Sequence, residues 1–365
     1  MENLLLMDPY RLGKMNLKNR IVMAPMTRSR AIGAIPTEAM AMYYQQRASA
    51  GLLIAEGTSP SPHGLGYENM PGLFNETQVQ AWKRVTYAVH NKGSKIFVQL
   101  LHTGRIAHPG NLPPEGRVLS ASAVAAKGQI HTSKGLKNYP IPEEMTTEDI
   151  KSTIQEFVAA AENAVRAGFD GVELHAGHGY LIEQFLHPAT NQRTDEYGGS
   201  MENRCRFVLE LASEVCKAIG KEKVGIRFSP YSQLNDLPLY DEMDSTYVYL
   251  TKQMEHLEIL YLHADQVQAN SPQPNPFLLE NMRRSFDGSF ILCGGYSKET
   301  GESDIIMDKA DLIAFGKAFI SHPDLVERIE NNWPLDQKID YVHLYSSGEE
   351  GYIDYPAYSE ETMYV

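Results

Sequence analysis

The chain has 365 residues, a length that suits one α/β barrel with insertions better than an ordinary single domain. Its formal net charge of −13 at pH 7 argues against nucleic acid or an anionic membrane as the main partner, because both favour a basic face. The three cysteines lie far apart and form no disulfide framework, and no apolar run approaches membrane-spanning length. These features predict a globular, cytoplasmic protein and leave the choice between monomer and homodimer open.

Short apolar runs alternate with longer amphipathic segments from the start of the chain to its end. The apolar runs predict eight strands, at Ile21–Pro25, Gly51–Gly57, Lys95–Leu100, Gly168–Leu174, Val224–Phe228, Ile259–Ala264, Phe290–Gly294 and Asp311–Gly316. The amphipathic segments predict helices at Glu38–Ser49, Glu76–His90, Thr147–Ala167, Met201–Ile219, Ser245–Leu257, Asn275–Ser285 and Lys298–Lys309, with a last helix from Lys317.

Strands that are buried on both faces and followed by helices pair in parallel through right-handed crossovers. Eight such units predict a (β/α)8 TIM barrel, and we expect one domain over 1–365. An open doubly wound sheet would normally carry Gly-x-Gly-x-x-Gly after its first strand, where this chain has Ala24-Pro25-Met26-Thr27. The stretch 103–146 is too long for a βα loop and predicts an inserted hairpin or lid after the third strand, and 341–365 form a tyrosine-rich, acidic tail at the barrel mouth.

The fourth predicted strand leads into the most informative segment of the chain, His175-Ala-Gly-His-Gly-Tyr180. Parallel α/β folds place their chemistry at the carboxyl ends of strands. Two imidazoles beside a phenol suit an anionic or carbonyl oxygen followed by proton delivery, so His175, His178 and Tyr180 are candidate catalytic residues. A metal site with Glu173 as a third ligand is the alternative, but no second His or Cys cluster supports it, and we expect no metal.

Small residues follow the last two predicted strands, in Cys293-Gly294-Gly295 and Phe315-Gly316-Lys317. In barrels, free N–H groups, a helix start and a cation at these two loops form a phosphate site, although each pair alone would indicate only a tight turn. The amide of Gln99 and the guanidinium of Arg227 lie at other strand ends. Together they suit a flat polar ligand such as an isoalloxazine ring.

Five stretches of the chain follow one another in an order typical of a known family. The most specific is the string Asn191-Gln-Arg-Thr-Asp-Glu-Tyr-Gly-Gly-Ser-Met-Glu-Asn-Arg204, and the others are Arg20–Arg28, Val98–Arg105, Phe169–Leu186 and Gly348–Pro356. On these stretches the chain resembles the Old Yellow Enzyme family of flavin-dependent ene-reductases.

The resemblance implies FMN as cofactor, NADH or NADPH as hydride donor, and an enone or nitroalkene as substrate. His175 and His178 would bind the carbonyl or nitro oxygen, flavin N5 would deliver hydride, and Tyr180 would donate the proton. Tyr345 and Leu101 would line the substrate pocket. The positions assigned to FMN binding are Ala24, Pro25, Met26, Thr27, Gly57, Gln99, Arg227, Gly294, Gly295, Gly316 and Lys317.

Three features depart from the family pattern. Lys317 replaces the usual arginine, so a point charge takes the place of a bidentate fork and weaker phosphate binding is expected. Leu101 stands where many relatives carry tryptophan, so the stereochemical preference of the family is not carried over. Residues 229–275 also differ from the family text, so substrate size is not carried over either.

Other functions remain as alternatives. A barrel glycosidase would use Glu56 and Glu173 as paired carboxylates, but it leaves Gln99, Tyr180 and the phosphate site unexplained. A flavin-binding protein with little turnover would not need the histidines and the tyrosine. A dienoyl-CoA reductase would add a Cys-rich cluster motif and further domains, which this sequence lacks.

Overall fold

The computed structural model describes residues 4–266, 275 and 277–359. Its strands are β1 Tyr10–Leu12, β2 Met15–Leu17, β3 Ile21–Met23, β4 Leu52–Thr58, β5 Lys95–Leu100, β6 Leu119–Ser120, β7 Gln129–Thr132, β8 Gly135–Asn138, β9 Glu143–Glu144, β10 Gly171–Ala176, β11 Val224–Phe228, β12 Tyr261–Asp265, β13 Ser289–Cys293 and β14 Leu312–Phe315. Its helices are α1 Glu38–Gln46, α2 Glu76–His90, α3 Thr147–Arg166, α4 Leu181–Leu186, α5 Met201–Ile219, α6 Met243–His256, α7 Leu278–Arg284, α8 Lys298–Ile306, α9 Lys317–Ser321 and α10 Leu325–Asn331.

Eight parallel strands close into a barrel in the order β3-β4-β5-β10-β11-β12-β13-β14, with β14 paired again to β3. The predicted (β/α)8 TIM barrel is therefore confirmed. Each predicted strand overlaps an observed one, with ends shifted by up to three residues. The fourth strand continues to Ala176, so His175 lies on the strand rather than after it. The helix predicted from Lys317 is two short helices, α9 and α10.

The predicted helix Asn275–Ser285 corresponds to α7, which begins at Leu278, and residue 276 lies outside the described part of the chain. Residues 267–274, which belong to the stretch that departs from the family text, lie outside it as well. Among the described residues, no helix is both long and apolar enough to cross a membrane.

A hairpin that was not predicted from the sequence closes the barrel at the amino ends of its strands. β1 and β2 pair antiparallel, and Leu12 and Leu17 pack with Leu312 in one buried cluster inside the barrel. The hairpin turn lies against the start of β12, because a Cβ on Gly13 would lie 2.7 Å from Leu260 Cδ1. The interior at this end is therefore filled by apolar side chains.

A second and larger buried cluster lies between the strands and the surrounding helices. Three of the described helices, α2, α3 and α8, begin with capping boxes. Asn75 Oδ1 accepts from the N–H of Gln78 at 3.0 Å at the start of α2, and Thr146 Oγ1 accepts from the N–H of Asp149 at 3.0 Å at the start of α3. Such caps satisfy the unpaired N–H groups of the first turn and fix where each helix begins.

The stretch 103–146 contains the hairpin expected after the third barrel strand. β7 and β8 pair antiparallel within it, and the short strands β6 and β9 pair in parallel. Arg105, at the start of this stretch, donates from Nη2 to the carbonyl oxygens of Asn235 and Asp236, both at 3.0 Å. The insertion is thus tied to the loop that follows β11, at the carboxyl end of the barrel.

Candidate active site

The carboxyl end of β10 brings the two histidines and the tyrosine together. His175 is buried on the strand, and His178 has a φ of 55°, a backbone conformation that residues other than glycine rarely adopt. His175 Nε2 and His178 Nδ1 lie 3.3 Å apart. The ring centroid of Tyr180 lies 5.4 Å from that of His175. The sequence-predicted catalytic residues therefore occupy one small region.

Burial shifts the pKa values of His175 and Tyr180 in opposite directions. Burial lowers the pKa of His175 well below its ordinary value, and His178 and Arg227 add to this effect, so His175 is neutral at physiological pH. Burial raises the pKa of Tyr180, against the opposite effect of its hydrogen bond with Tyr67. The two phenolic oxygens are 2.9 Å apart. Tyr180 is therefore a protonated phenol with a second phenol at its hydroxyl.

A carboxylate at the end of β12 lies between Arg227 and His178. Arg227 Nη2 is 2.8 and 2.9 Å from the two oxygens of Asp265, and His178 Nε2 is 2.6 Å from Asp265 Oδ2. Burial alone would raise the pKa of Asp265, but Arg227 and His178 hold it well below its ordinary value. Burial acts to lower the pKa of Arg227, and Asp265 more than reverses that effect. Both partners are therefore charged at neutral pH.

The same carboxylate belongs to a group with the composition of a metal site. One ligand atom each from His263, Asp265 and Cys293 lie within 4.8 Å of one another. However, Arg227 Nη2 donates to Asp265 and is 3.8 Å from Cys293 Sγ, so a cation there would be repelled. Burial also raises the pKa of the Cys293 thiol, and a neutral thiol is a poor ligand. This group does not suit a metal ion.

Deeper in the barrel, Glu173 binds side chains from two other strands. Gln99 Nε2 donates to Glu173 Oε1 at 2.8 Å, and Tyr261 OH and His263 Nδ1 lie 3.1 and 2.8 Å from Glu173 Oε2. Gly225 provides the space for the Tyr261 ring, since a Cβ there would lie 2.2 Å from its Cζ. Glu173, considered above as a metal ligand, is thus part of a buried network that orients Gln99.

The residues assigned to FMN lie at the carboxyl ends of six barrel strands, either on the strand, as Gly57, Gln99 and Arg227 do, or in the loop that follows it. Gly294 and Gly295 have φ values of 118° and 72°, and a Cβ on Gly295 would meet no atom within 4 Å. Within the described part of the chain, Arg227 Nε and His175 Nδ1 are buried without a hydrogen-bond partner. Lys317 is exposed at the start of α9. Unsatisfied polar atoms, an open glycine turn and a nearby cation fit a phosphorylated polar ligand such as FMN.

An apolar wall stands behind Tyr180. Leu101 is 2% exposed and packs with Leu65, and Tyr67 and Tyr180 pack against this small cluster. Leu101 also covers Gly57, because a Cβ at that position would lie 2.5 Å from Leu101 Cδ2. Leu101 therefore lies in the same small cluster as Tyr180, the predicted proton donor.

The C-terminal tail passes near the same region and is held through its main chain and through the buried ring of Tyr352, which stacks on Tyr43 with a centroid distance of 4.2 Å. Arg28 and Arg30 donate hydrogen bonds to carbonyl oxygens of the tail rather than to its side chains. Tyr345 is 64% exposed and close enough to Tyr180 to raise the pKa of that phenol electrostatically. The carbonyl acceptors are those of His343, Leu344, Ser346, Gly348, Glu350 and Gly351.

The profile of the NADH:flavin oxidoreductase / NADH oxidase family matches residues 5–336. The chain belongs to the Old Yellow Enzyme family. The 12-oxophytodienoate reductase 7 of Oryza sativa subsp. japonica is 39% identical over 372 residues, covering 96% of this chain and 94% of that protein. The recognition made from the sequence motifs is confirmed, and the cofactor of the family is FMN.

Solved structures give the same result. Morphinone reductase in complex with tetrahydroNAD has a TM-score of 0.92 at 38% identity, covering 98% of this chain and 99% of that one. An Old Yellow Enzyme homologue from Zymomonas mobilis has a TM-score of 0.92 at 37% identity, covering 97% and 99% of the two chains. This family member is therefore an oxidoreductase whose barrel matches those of known flavoenzymes over nearly its whole length.

Two residues of the site were not selected from the sequence. Asp265 ends the sixth barrel strand, to which no site residue was assigned, although its position two residues after His263 placed it on the same face. Tyr67 lies in the loop after β4, far from Tyr180 along the chain. The alternation of side chains along β12 could have indicated Asp265. No pattern in the sequence around Tyr67 indicates that it contacts Tyr180.

Proposed function

We propose that this protein is an NAD(P)H-dependent ene-reductase that reduces the C=C bond of an electron-poor alkene, such as an α,β-unsaturated carbonyl or nitro compound. The observation that supports this most is the convergence of two imidazoles and a protonated phenol at the end of β10. When bound, FMN supplies the hydride that it has accepted from the nicotinamide.

His175 and His178 bind the activating oxygen of the substrate. Their facing nitrogens, 3.3 Å apart, lie where one oxygen can contact both rings. N–H donors at this position withdraw electrons from the double bond and stabilise the negative charge that develops on the oxygen. The pair therefore orients the alkene and lowers the barrier to hydride addition at its β-carbon.

Tyr180 donates the proton to the α-carbon. Its raised pKa keeps the phenol protonated until charge has developed on the substrate. The hydroxyl of Tyr67, 2.9 Å from that of Tyr180, can donate to the phenolate that remains. Leu101 and Leu65 exclude water from this side of the ring.

The residues that would hold FMN divide into two groups. Thr27, Gln99 and Arg227 would bind the ring, and the buried Nε of Arg227 has no partner in the described part of the chain. Main-chain N–H groups near Gly295 and the ammonium group of Lys317 would bind the phosphate. Arg227 would carry the positive charge that a reduced flavin ring favours.

The glycosidase alternative has little support. Such an enzyme needs two carboxyl groups that reach the substrate from either side. Glu56 and Glu173 are both 0% exposed. Glu56 accepts from the N–H of Arg28 and the hydroxyl of Tyr44, at 3.2 Å each, so both carboxylates are engaged inside the fold.

The test of the proposed function uses the purified protein. We expect it to be yellow, to be bleached by NADPH or NADH without air, and to be re-oxidised by cyclohexenone. A protein that stays colourless after incubation with FMN would refute the proposal. Bleaching without re-oxidation by enones, maleimides or nitroalkenes would instead identify a flavin-binding protein with little turnover.

A further inference from the structure

A single asparagine side chain links the main chain of His178 to the hydroxyl of Tyr180. Asn235 Nδ2 donates to the carbonyl oxygen of His178 at 2.7 Å, and the same side chain forms a hydrogen bond with the Tyr180 hydroxyl. A carbonyl oxygen only accepts hydrogen bonds, so the contact with His178 identifies the amide nitrogen. That nitrogen carries a second hydrogen, which can bind the oxygen of Tyr180. Asn235 belongs to the stretch 229–275, so the family motifs do not assign it a role.

The insertion after the third barrel strand helps to hold Asn235 in this place. Asn235 and Asp236 have φ values of 59° and 63°, a conformation that asparagine and aspartate adopt more readily than most other residues. Arg105 Nη2 donates to both of their carbonyl oxygens at 3.0 Å. Asn235 also packs on the turn before Tyr180, because a Cβ on Gly179 would lie 2.7 Å from Asn235 Cβ. The amide is therefore held beside Tyr180 from two sides.

The two neighbours of the Tyr180 hydroxyl differ in the hydrogen bonds that they can form. The hydroxyl of Tyr67, 2.9 Å away, can donate or accept, whereas the amide nitrogen of Asn235 only donates. Burial raises the pKa of Tyr180, and the bonds with Tyr67 and Asn235 act in the opposite direction, as donors to the phenolic oxygen do. Asn235 therefore cannot take the hydrogen of Tyr180, which stays available to the substrate when Tyr67 donates as well.

We propose that Asn235 is a positioning residue for proton delivery, whose amide directs the hydrogen of Tyr180 towards the substrate and stabilises the phenolate that the transfer leaves. This inference rests on the proposed function for the identity of the reaction. After hydride addition at the β-carbon, the O–H bond of Tyr180 breaks, and its proton forms a C–H bond with the electron pair at the α-carbon. The negative charge then lies on the Tyr180 oxygen, beside the N–H group of Asn235, until solvent returns a proton.

The experiment compares two variants of the FMN-loaded protein, Asn235→Asp and Asn235→Gly, with the wild type. Aspartate and glycine both tolerate the left-handed backbone at this position, so the loop keeps its path. Aspartate keeps the shape of the side chain but has no N–H group, and glycine has no side chain at all. Each variant tests the inference by itself, so a folding defect in one of them leaves the other as the test.

Stopped-flow spectroscopy follows re-oxidation of the reduced flavin by cyclohexenone in H₂O and in D₂O. We expect the limiting rate constant to fall by about 10- to 100-fold in both variants, the factor that one hydrogen bond to a charged group contributes. The Kd for cyclohexenone should stay nearly constant, because Asn235 acts through Tyr180 and not on the bound enone. The solvent isotope effect should increase, because proton transfer becomes slower relative to hydride transfer.

Ferricyanide provides a second oxidant for the same variants. It takes electrons from the reduced flavin without a proton from Tyr180. Re-oxidation by ferricyanide should therefore stay at the wild-type rate, which a general disturbance of the flavin site would not allow.

Asp236→Gly is the matched control, because Asp236 has the same left-handed backbone and its carboxylate lies 3.3 Å from Lys127 Nζ. It should be re-oxidised by cyclohexenone at the wild-type rate. Wild-type rates in the Asn235 variants, equal slowing with both oxidants, or equal slowing in Asp236→Gly would each overturn the inference. Failure of cyclohexenone to re-oxidise the wild-type protein would instead refute the proposed function, and the inference with it, so the two failures are distinguishable.

Discussion

The two ends of the barrel contrast sharply. At the amino ends, Leu12 and Leu17 of the β1–β2 hairpin complete an apolar interior. At the carboxyl ends, buried atoms of His175 and Arg227 have no partner in the described part of the chain. Each such atom costs about 1–3 kcal/mol if nothing binds it, so stability alone does not favour that arrangement. The contrast teaches that the hairpin end stabilises the fold and the opposite end is built to receive ligands.

The largest expected effect concerns the ligand-binding end. Tyr180→Phe should slow re-oxidation of the reduced flavin by an enone by about 10²- to 10⁴-fold, because a positioned general acid contributes that much. Flavin reduction by NADPH and the melting temperature should stay nearly unchanged. Stopped-flow spectroscopy of the two half-reactions measures the difference, with Tyr87→Phe, at a 70% exposed residue, as control. Equal loss in both half-reactions would contradict the role of Tyr180.

The next expected effect concerns the opposite end. Leu17→Ala should lower the free energy of unfolding by about 2–5 kcal/mol, because it leaves a cavity in the barrel interior. Turnover by the folded protein at low temperature should change little. Urea unfolding provides the measurement, and Ile306→Ala, at a 65% exposed residue, provides the control. A Leu17→Ala variant with wild-type stability but impaired turnover would contradict the assignment of a stabilising role to the hairpin end.

Glu56 tests the contrast between the two ends, because it lies near the carboxyl end of β4 and yet is expected to affect stability. It is a fully buried carboxyl group. Burial raises its pKa from an ordinary value of 4.5 to about 7. The folded protein therefore binds this proton more tightly than the unfolded chain does. Protonated Glu56 therefore contributes fully to stability below the pKa that Glu56 has in the unfolded chain. This contribution is lost as the pH rises through the pKa that Glu56 has in the folded protein.

In the wild-type protein, we expect the free energy of unfolding to fall by on the order of 2–3 kcal/mol between about pH 5 and pH 8 because Glu56 loses its proton. Glu56→Gln should not show this fall. Urea unfolding at several pH values measures this, with Glu162→Gln at an exposed position of α3 as control. If the pH dependence of the variant matches that of the wild-type protein, Glu56 does not bind its proton as the structure indicates.

The smallest expected effect concerns the phosphate group. Lys317→Arg should lower the Kd for FMN by roughly 2- to 10-fold, because a guanidinium binds two phosphate oxygens at once. Fluorescence titration of the apoprotein with FMN measures the change. Lys309→Arg, which precedes β14 at the amino ends of the strands and is paired with Asp304, should leave the Kd unchanged. Weaker binding by Lys317→Arg would mean that the loop geometry suits only an ammonium group.

Much of the ligand-binding end was predictable from the sequence, because strand periodicity and the rule that chemistry lies at carboxyl ends act locally. His175, His178 and Tyr180 were selected in this way, and the structure brings them together. The β1–β2 hairpin was not predictable, since strands of three residues show no clear alternation.

Partners that are distant in sequence were also beyond the reach of local patterns. Glu173 is separated from Tyr261 and His263 by about ninety residues, so its network is visible only in the closed barrel. Asp265 follows the same rule. Its salt bridge to Arg227 depends on the register of β11 against β12, which sequence periodicity does not specify.

The attachment of the C-terminal tail has a consequence for how this enzyme can diversify. Arg28 and Arg30 bind carbonyl oxygens between residues 343 and 351, and every amino acid carries a carbonyl group. These contacts place no requirement on the side chain of Tyr345, whereas Gly348 and Gly351 have positive φ values that favour glycine. Tyr345, which is 64% exposed, is therefore a position that a mutagenesis library can vary while the main chain of the segment keeps its contacts with Arg28 and Arg30.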